Sequence, residues 1–170
     1  MNKRLTLMSL VLTGTLVTPL LNSTTAVVAS APSCRAGQLH LSMGRAQGAA
    51  GSTIYNLRFT NVGPTCTLFG VPSLQPVAGN PLHHVGPVSM NESRGEMAAL
   101  HTLTKGQSAV SAVSFTETGN FPVARCHPAS ITGVLVTLGD AAVTFVAHRF
   151  VPQVQSVCTT VPSVGATLLS

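Results

Sequence analysis

Apolar and polar side chains alternate along most of the chain. In the segment 38–43, Leu39, Leu41 and Met43 fall on one side of an extended backbone, and polar residues fall on the other. The segment 51–60 repeats this period, with three alternating apolar positions: Tyr55, Leu57 and Phe59. A period of two is typical of a half-buried strand in an antiparallel sheet. We therefore expect both segments to be strands with one buried face.

The clearest hairpin prediction covers residues 131–148. The dipeptide Gly139-Asp140 suits a two-residue turn whose twist matches that of paired strands. This turn predicts that Val136 pairs with Val143 and that one face of the hairpin is continuously apolar.

Weaker alternation predicts further strands at 73–77, 82–90, 98–104, 108–115 and 151–157. Convincing helical periodicity with capping residues is not found. The predicted fold class is all-β: an immunoglobulin-like antiparallel β-sandwich of about seven to eight strands, stapled by disulfides.

The first 31 residues differ from the rest and predict a secretory signal peptide. Lys3 and Arg4 precede an apolar run over 5–21, and Ala29-Ser-Ala31 has the small-x-small pattern of a cleavage site. The run is interrupted by polar residues, which disfavours a transmembrane anchor. We predict cleavage after Ala31, a single domain over 32–170, and no transmembrane segment after cleavage.

All four cysteines, Cys34, Cys66, Cys126 and Cys158, lie in the predicted exported part. An even number of cysteines in an oxidising compartment indicates disulfides, and four cysteines allow three connectivities. We favour Cys34–Cys66 and Cys126–Cys158, so that each bridge ties strands that are close in sequence. Structural zinc sites use closely spaced cysteine pairs, which this chain lacks.

Lipidation of Cys34 is an alternative use of this residue. A lipidation signal wants an aliphatic residue three positions before the cysteine and small residues next to it. Ala31, Pro32 and Ser33 stand there, and the proline fits poorly. We therefore expect a secreted or envelope-associated protein and disfavour a lipid anchor.

The charge of the chain serves only to exclude one class of partner. Beyond the predicted leader the chain has seven basic and four acidic residues, and the basic ones are scattered singly. Nucleic-acid binding needs a concentrated basic surface, so we expect no nucleic-acid partner.

Candidate catalytic groups are few. The carboxylates are limited to Glu92, Glu96, Glu117 and Asp140, and the chain has no Gly-x-Ser-x-Gly motif around a nucleophile. We predict that the protein is not an enzyme, while a secreted hydrolase stays as an alternative.

A group of histidines and methionines suggests a second alternative. His83, His84, Met90, Met97 and His101 lie close in sequence, and thioether with imidazole ligands suits copper. Exposed histidines and buried methionines explain the same residues more simply, because neighbouring strand residues point to opposite faces. We therefore predict no cofactor and keep an extracytoplasmic copper site as an alternative.

Several short motifs together carry a family resemblance. They are Asn61-Val-Gly63, Cys66-Thr-Leu68 and Gly70-Val-Pro72, with Cys34 before them and Cys126 and Cys158 after them. The chain resembles a family of actinobacterial secreted proteins and lipoproteins built on a four-cysteine domain of unknown function. The resemblance implies an exported, immunoglobulin-like β-sandwich and carries over no catalytic residues. Many such proteins are lipid-anchored, and the context of Cys34 departs from that.

The function expected from the sequence is a noncatalytic binding or structural module of the cell envelope or extracellular space. Its ligand is unknown, and a cell-wall polymer or an envelope protein would fit. The chain has no Trp, and its one Tyr is expected to be buried, so no aromatic binding site can be named.

Overall fold

The computed structural model describes residues 30–138, 143–148 and 156–170. Nearly all of the predicted signal peptide, the predicted turn at 139–140 and most of the predicted strand 151–157 therefore lie outside the described residues. The described part of the chain is mainly β-strand, with one short α-helix, α1 (Val123–Cys126), and two 3-10 turns, Ala36–Gln38 and Thr118–Asn120.

Fourteen strands occur among the described residues. They are β1 (Leu39–Met43), β2 (Gln47–Ala49), β3 (Ser52–Asn61), β4 (Cys66–Phe69), β5 (Ser73–Ala78), β6 (His83–His84), β7 (Met90–Asn91), β8 (Leu100–Leu103), β9 (Ser108–Thr116), β10 (Pro128–Ser130), β11 (Gly133–Leu138), β12 (Val143–His148), β13 (Ser156–Cys158) and β14 (Val164–Ala166). Several have only two or three residues. The predicted number, seven to eight, omits these because so few residues show no recognisable alternation.

The largest sheet has six strands in the order β1-β3-β9-β14-β7, and β2 also pairs with β3. Its centre is the long antiparallel pair of β3 and β9, in register from Ser52 opposite Thr116 to Thr60 opposite Ser108. Tyr55, Leu57 and Phe59 are all fully buried. The alternation in 51–60 predicted this inward face correctly.

The second sheet has four strands in the order β12-β11-β5-β6. It contains the predicted hairpin of β11 and β12, but the predicted register is wrong. Val136 pairs with Phe145, and Val143 pairs with Leu138. A shift of two residues keeps every side chain on the same face, so alternation cannot detect it. Four residues, 139–142, therefore connect the strands instead of two, and these lie outside the described residues.

Two small antiparallel sheets, β4–β8 and β10–β13, complete the fold. Each contains a cysteine of one disulfide, and the bonds are Cys34–Cys66 and Cys126–Cys158. This is the connectivity that the sequence favoured. All four cysteines are buried.

The predicted strand at 82–90 is wrong over most of its length. Only the two-residue strands β6 and β7 form, and residues 85–89 run between them beside β5. Val85 N donates to Pro76 O at 2.9 Å, and Ser89 N donates to Leu74 O at 2.8 Å. Gly86 has a positive φ of 71°, which breaks the extended backbone here. We call residues 83–93 the strap, because it supplies an edge strand to each of the two larger sheets.

Buried side chains from both larger sheets form one apolar cluster. Tyr55 and Phe115 of the six-stranded sheet meet edge to face, with ring centroids 5.9 Å apart and an interplanar angle of 81°. Leu74, Val134 and Val136 of the four-stranded sheet belong to the same cluster. The core therefore lies between these two sheets and reaches the first disulfide through Cys34 and Cys66.

Candidate binding surface

The Asn61-x-Gly63 motif has a structural role. Asn61 is fully buried, and its Nδ2 donates to the carbonyl oxygens of Pro64 and Leu103, both at 2.8 Å. Its Oδ1 accepts a hydrogen bond from Gly63 N at 2.8 Å. One side chain thereby closes the turn before β4 and ties it to β8. None of these polar atoms of Asn61 is left for a ligand.

The first disulfide fixes the start of the domain against β4. Thr67 N donates to Pro32 O at 2.8 Å, and Cys34 N donates to Thr67 O at 2.9 Å. The sulfur of Cys34 is bonded to that of Cys66. A sulfur atom in a disulfide cannot also carry a thioether-linked lipid, so lipidation of Cys34 is incompatible with this bond.

The second disulfide joins α1 to β13 and is braced by threonines. Thr159 N donates to Cys126 O at 2.9 Å, and Thr159 Oγ1 donates to His127 O at 3.0 Å. His127 ends α1 in a left-handed conformation, with φ of 46°. The strap packs here as well, because a Cβ on Gly86 would overlap the carbonyl oxygen of Cys158.

Of the five histidines and methionines of the copper alternative, four are divided among three sheets and one lies in a loop. His83 and His84 form β6 of the four-stranded sheet, Met90 is in β7 of the six-stranded sheet, and His101 is in β8. Met97 lies in the loop that precedes β8. Across the described residues, no group of three or more His, Cys, Asp or Glu side chains is placed to hold a metal ion.

The expected burial of the methionines is wrong. Met97 is 93% exposed and Met90 is 48% exposed. Met90 belongs to a two-residue strand at the edge of its sheet, where little covers it. The side chain of His101 has a structural contact, since its Nε2 lies 3.1 Å from Leu169 O.

Two of the described carboxylates hold neighbouring elements in place. Glu92 Oε2 accepts a hydrogen bond from Ser114 Oγ at 2.9 Å, and the Glu92 side chain lies against Gly165. Glu117 Oε1 accepts a hydrogen bond from Thr53 Oγ1 at 3.2 Å. Glu96 is exposed, and Asp140 lies outside the described residues. Glu92 and Glu117 thus accept hydrogen bonds from side chains of two different strands, β9 and β3.

An exposed apolar pair marks the outer face of the β4–β8 sheet. Phe69 and Leu100 lie directly opposite each other in the register of these strands. They are 53% and 63% exposed. We call these two residues the apolar pair. Exposed Met97 lies three residues before Leu100 in the chain, so the loop that leads into β8 is also apolar in part.

The other end of the same face is polar, and one of its two residues is covered. Thr67 and Thr102 form the neighbouring cross-strand pair. Thr67 Oγ1 lies 3.3 Å from Pro32 O, so the segment that precedes the first disulfide covers Thr67 but not Phe69. Sequence reasoning missed the apolar pair because the run Cys66–Phe69 has no alternation that shows which side is covered.

A family model described as a domain of unknown function, DUF4232, matches residues 34–168. The chain belongs to the DUF4232 family. This confirms the expected domain of unknown function, and the matched range contains both disulfides and the apolar pair. Comparisons with curated proteins and with solved structures found no match. In the described parts of the DUF4232 protein, no helix is long and apolar enough to cross a membrane.

Proposed function

We propose that this protein is an exported, noncatalytic module of the cell envelope or extracellular space that binds another protein through Phe69 and Leu100. The exposed, directly paired Phe69 and Leu100 are the observation that carries this proposal. Exposing both side chains to water is unfavourable, and a partner that covers them would remove that cost. Phe is also among the residues enriched at protein interfaces.

Export is supported by the two buried disulfides, since such bonds persist in oxidising compartments. The proposed architecture is an immunoglobulin-like antiparallel β-sandwich. It is supported by the shared core of the two larger sheets and by the antiparallel pairing of β3 with β9 and of β11 with β5.

A protein partner is favoured over a wall polymer by the aromatic content. Sugar rings commonly stack on exposed Trp or Tyr side chains. This chain has no Trp, and its single Tyr, Tyr55, is fully buried. An aliphatic side chain next to a Phe suits the apolar centre of a protein–protein contact better.

The test uses the oxidised protein without its leader as bait for envelope and culture-fluid extracts. We expect the wild type to retain a protein partner. The double variant F69S/L100S should retain at least about tenfold less of it, as expected for central interface residues. The control is Val123→Ser, which removes an apolar side chain on α1 that is even more exposed, at 72%. All three proteins should unfold at similar denaturant concentrations, because surface changes cost little stability.

Equal retention by the double variant and the control would contradict the proposal. Capture of a protease-resistant polymer in place of a protein would also contradict it.

A further inference from the structure

Ala31 is the first described residue that contacts the rest of the domain through a hydrogen bond. The carbonyl oxygen of Ala31 lies 3.4 Å from Thr67 Oγ1, and that of Pro32 accepts a hydrogen bond from Thr67 N at 2.8 Å. Ser33 then forms an isolated parallel bridge with Thr67. Ser30 is exposed, whereas Ala31 is partly covered. Ala31 therefore belongs to the folded domain.

The bond between Ala31 and Pro32 is also a poor substrate for a peptidase. Its nitrogen is part of the proline ring, which carries no N–H and crowds the residue before it. A nucleophile that attacks the Ala31 carbonyl must approach beside this ring. The small-x-small pattern alone does not take account of the residue that follows the cut.

Ala29 offers a better site two residues earlier. It is small, as the position before the cut requires, and Ser30 follows it with an ordinary N–H. The other position of the small-x-small pattern holds Val27, so this site is favoured by the residue after the cut and not by a fuller match to the pattern. We infer that the export peptidase cleaves after Ala29, so that the mature protein begins at Ser30 and keeps Ala31 against Thr67. This inference rests on the proposed export of the protein.

The test is to express the full chain in an exporting bacterial host and to sequence the N-terminus of the exported protein, with its intact mass as a second measurement. We expect a single species that starts at Ser30. A start at Pro32, or at any other residue, would overturn the inference, as would export of the uncleaved chain. Retention of the whole chain inside the cell would count against both proposals, and its location identifies export as the step that failed.

A variant tests the role of the proline. Pro32→Ala should allow the peptidase to cleave the bond after Ala31, so that at least about a tenth of the exported chains start at residue 32. The matched control is Ser33→Ala, which leaves the proline in place and should give Ser30 alone. If Pro32→Ala produced no chains that start at residue 32, the proline would not protect that bond and the inference would lose its chemical basis.

Discussion

Asn61 provides hydrogen-bond partners for several main-chain groups of the fold, which an apolar residue at this position could not do. Its side chain contacts Gly63, Pro64 and Leu103, and its main-chain N–H donates to Gln107 O at 2.9 Å. A buried amide with all these partners replaces the water that the turn would otherwise need. The turn before β4 and the turn after β8 are thereby held by one residue.

Replacing Asn61 should therefore be costly. We expect Asn61→Ala to lower the free energy of unfolding by about 2–4 kcal/mol, because buried groups lose their partners. Asn61→Asp keeps the acceptor for Gly63 N and loses both donated hydrogen bonds, so it should be no more stable than Asn61→Ala near neutral pH. Urea denaturation measures both variants. An unfolding free energy within about 0.5 kcal/mol of the wild type would contradict this account.

Tyr55 is a second residue whose environment is set by packing. Burial, and then the negative charge of Glu117, raise the pKa of its phenol above the ordinary value of 10.0. The folded protein therefore keeps the phenol proton at pH values where the unfolded chain has lost it. The stabilisation is complete below pH 10.0 and is lost as the pH rises through the pKa of the folded state.

Alkaline titration tests this prediction directly. The chain has one Tyr and no Trp, so the ultraviolet absorbance change of tyrosinate reports Tyr55 alone. We expect a midpoint above 10.0, and a lower midpoint in Glu117→Gln that still exceeds 10.0, because burial is the larger cause. Tyr55→Phe should lose less stability than the wild type as the pH rises above 10.0. A wild-type midpoint at or below 10.0 would contradict it.

At the scale of elements, the strap explains how the two larger sheets are joined at one side. Its β6 pairs with β5, and its β7 pairs in parallel with β14. Glu92 N donates to Ala166 O at 2.8 Å, and Leu168 N donates to Ser93 Oγ at 2.6 Å. Between these ends, Gly86 rests on the main chain of Cys158.

Comparing Gly86 of the strap with Gly106, in the turn between β8 and β9, separates backbone strain from steric overlap. Gly86 and Gly106 both have positive φ, 71° and 88°, but only Gly86 has a main chain in the space of a Cβ. We expect Gly106→Ala to cost about 1–2 kcal/mol from backbone strain. Gly86→Ala should cost about 1–3 kcal/mol more, because the strap must move away from Cys158. Equal losses of unfolding free energy in denaturation experiments would show that the strap does not press on Cys158.

At the scale of the molecule, the disulfides hold the two small sheets that flank the core. Cys34–Cys66 ties the start of the domain to β4, and Cys126–Cys158 ties α1 to β13. Each closes a loop with a sequence separation of 32 residues. The chain-entropy model gives loops of equal length equal stabilisation.

Removing either bond should therefore cost about 3–4 kcal/mol. We expect the double variants C34A/C66A and C126A/C158A to unfold at similar, lower denaturant concentrations. Removing both bonds should unfold much of the protein at room temperature, because domains have only about 5–15 kcal/mol of net stability. Losses below about 1 kcal/mol would show that the bonds contribute little beyond the packing around them.

Long strands could be predicted from the sequence, and very short ones could not. The long strands β3 and β9 carry enough alternation to predict both their existence and their buried face, as Tyr55 and Phe59 show. The two-residue strands of the strap could not be predicted, because their pairing partners lie on two different sheets. The candidate surface was missed for a similar reason, since the segment before Cys34, which is distant in sequence, covers Thr67 and leaves Phe69 exposed.

The sequence by itself determined the β-rich class of the fold and the inward face of its long strands. Both depend on side chains one or two positions apart. Tertiary structure alone decided the hairpin register, the path of the strap and the exposure of Met97 and the apolar pair. Those outcomes depend on which distant segment lies opposite a given residue, and a period of two is the same for every register that differs by two.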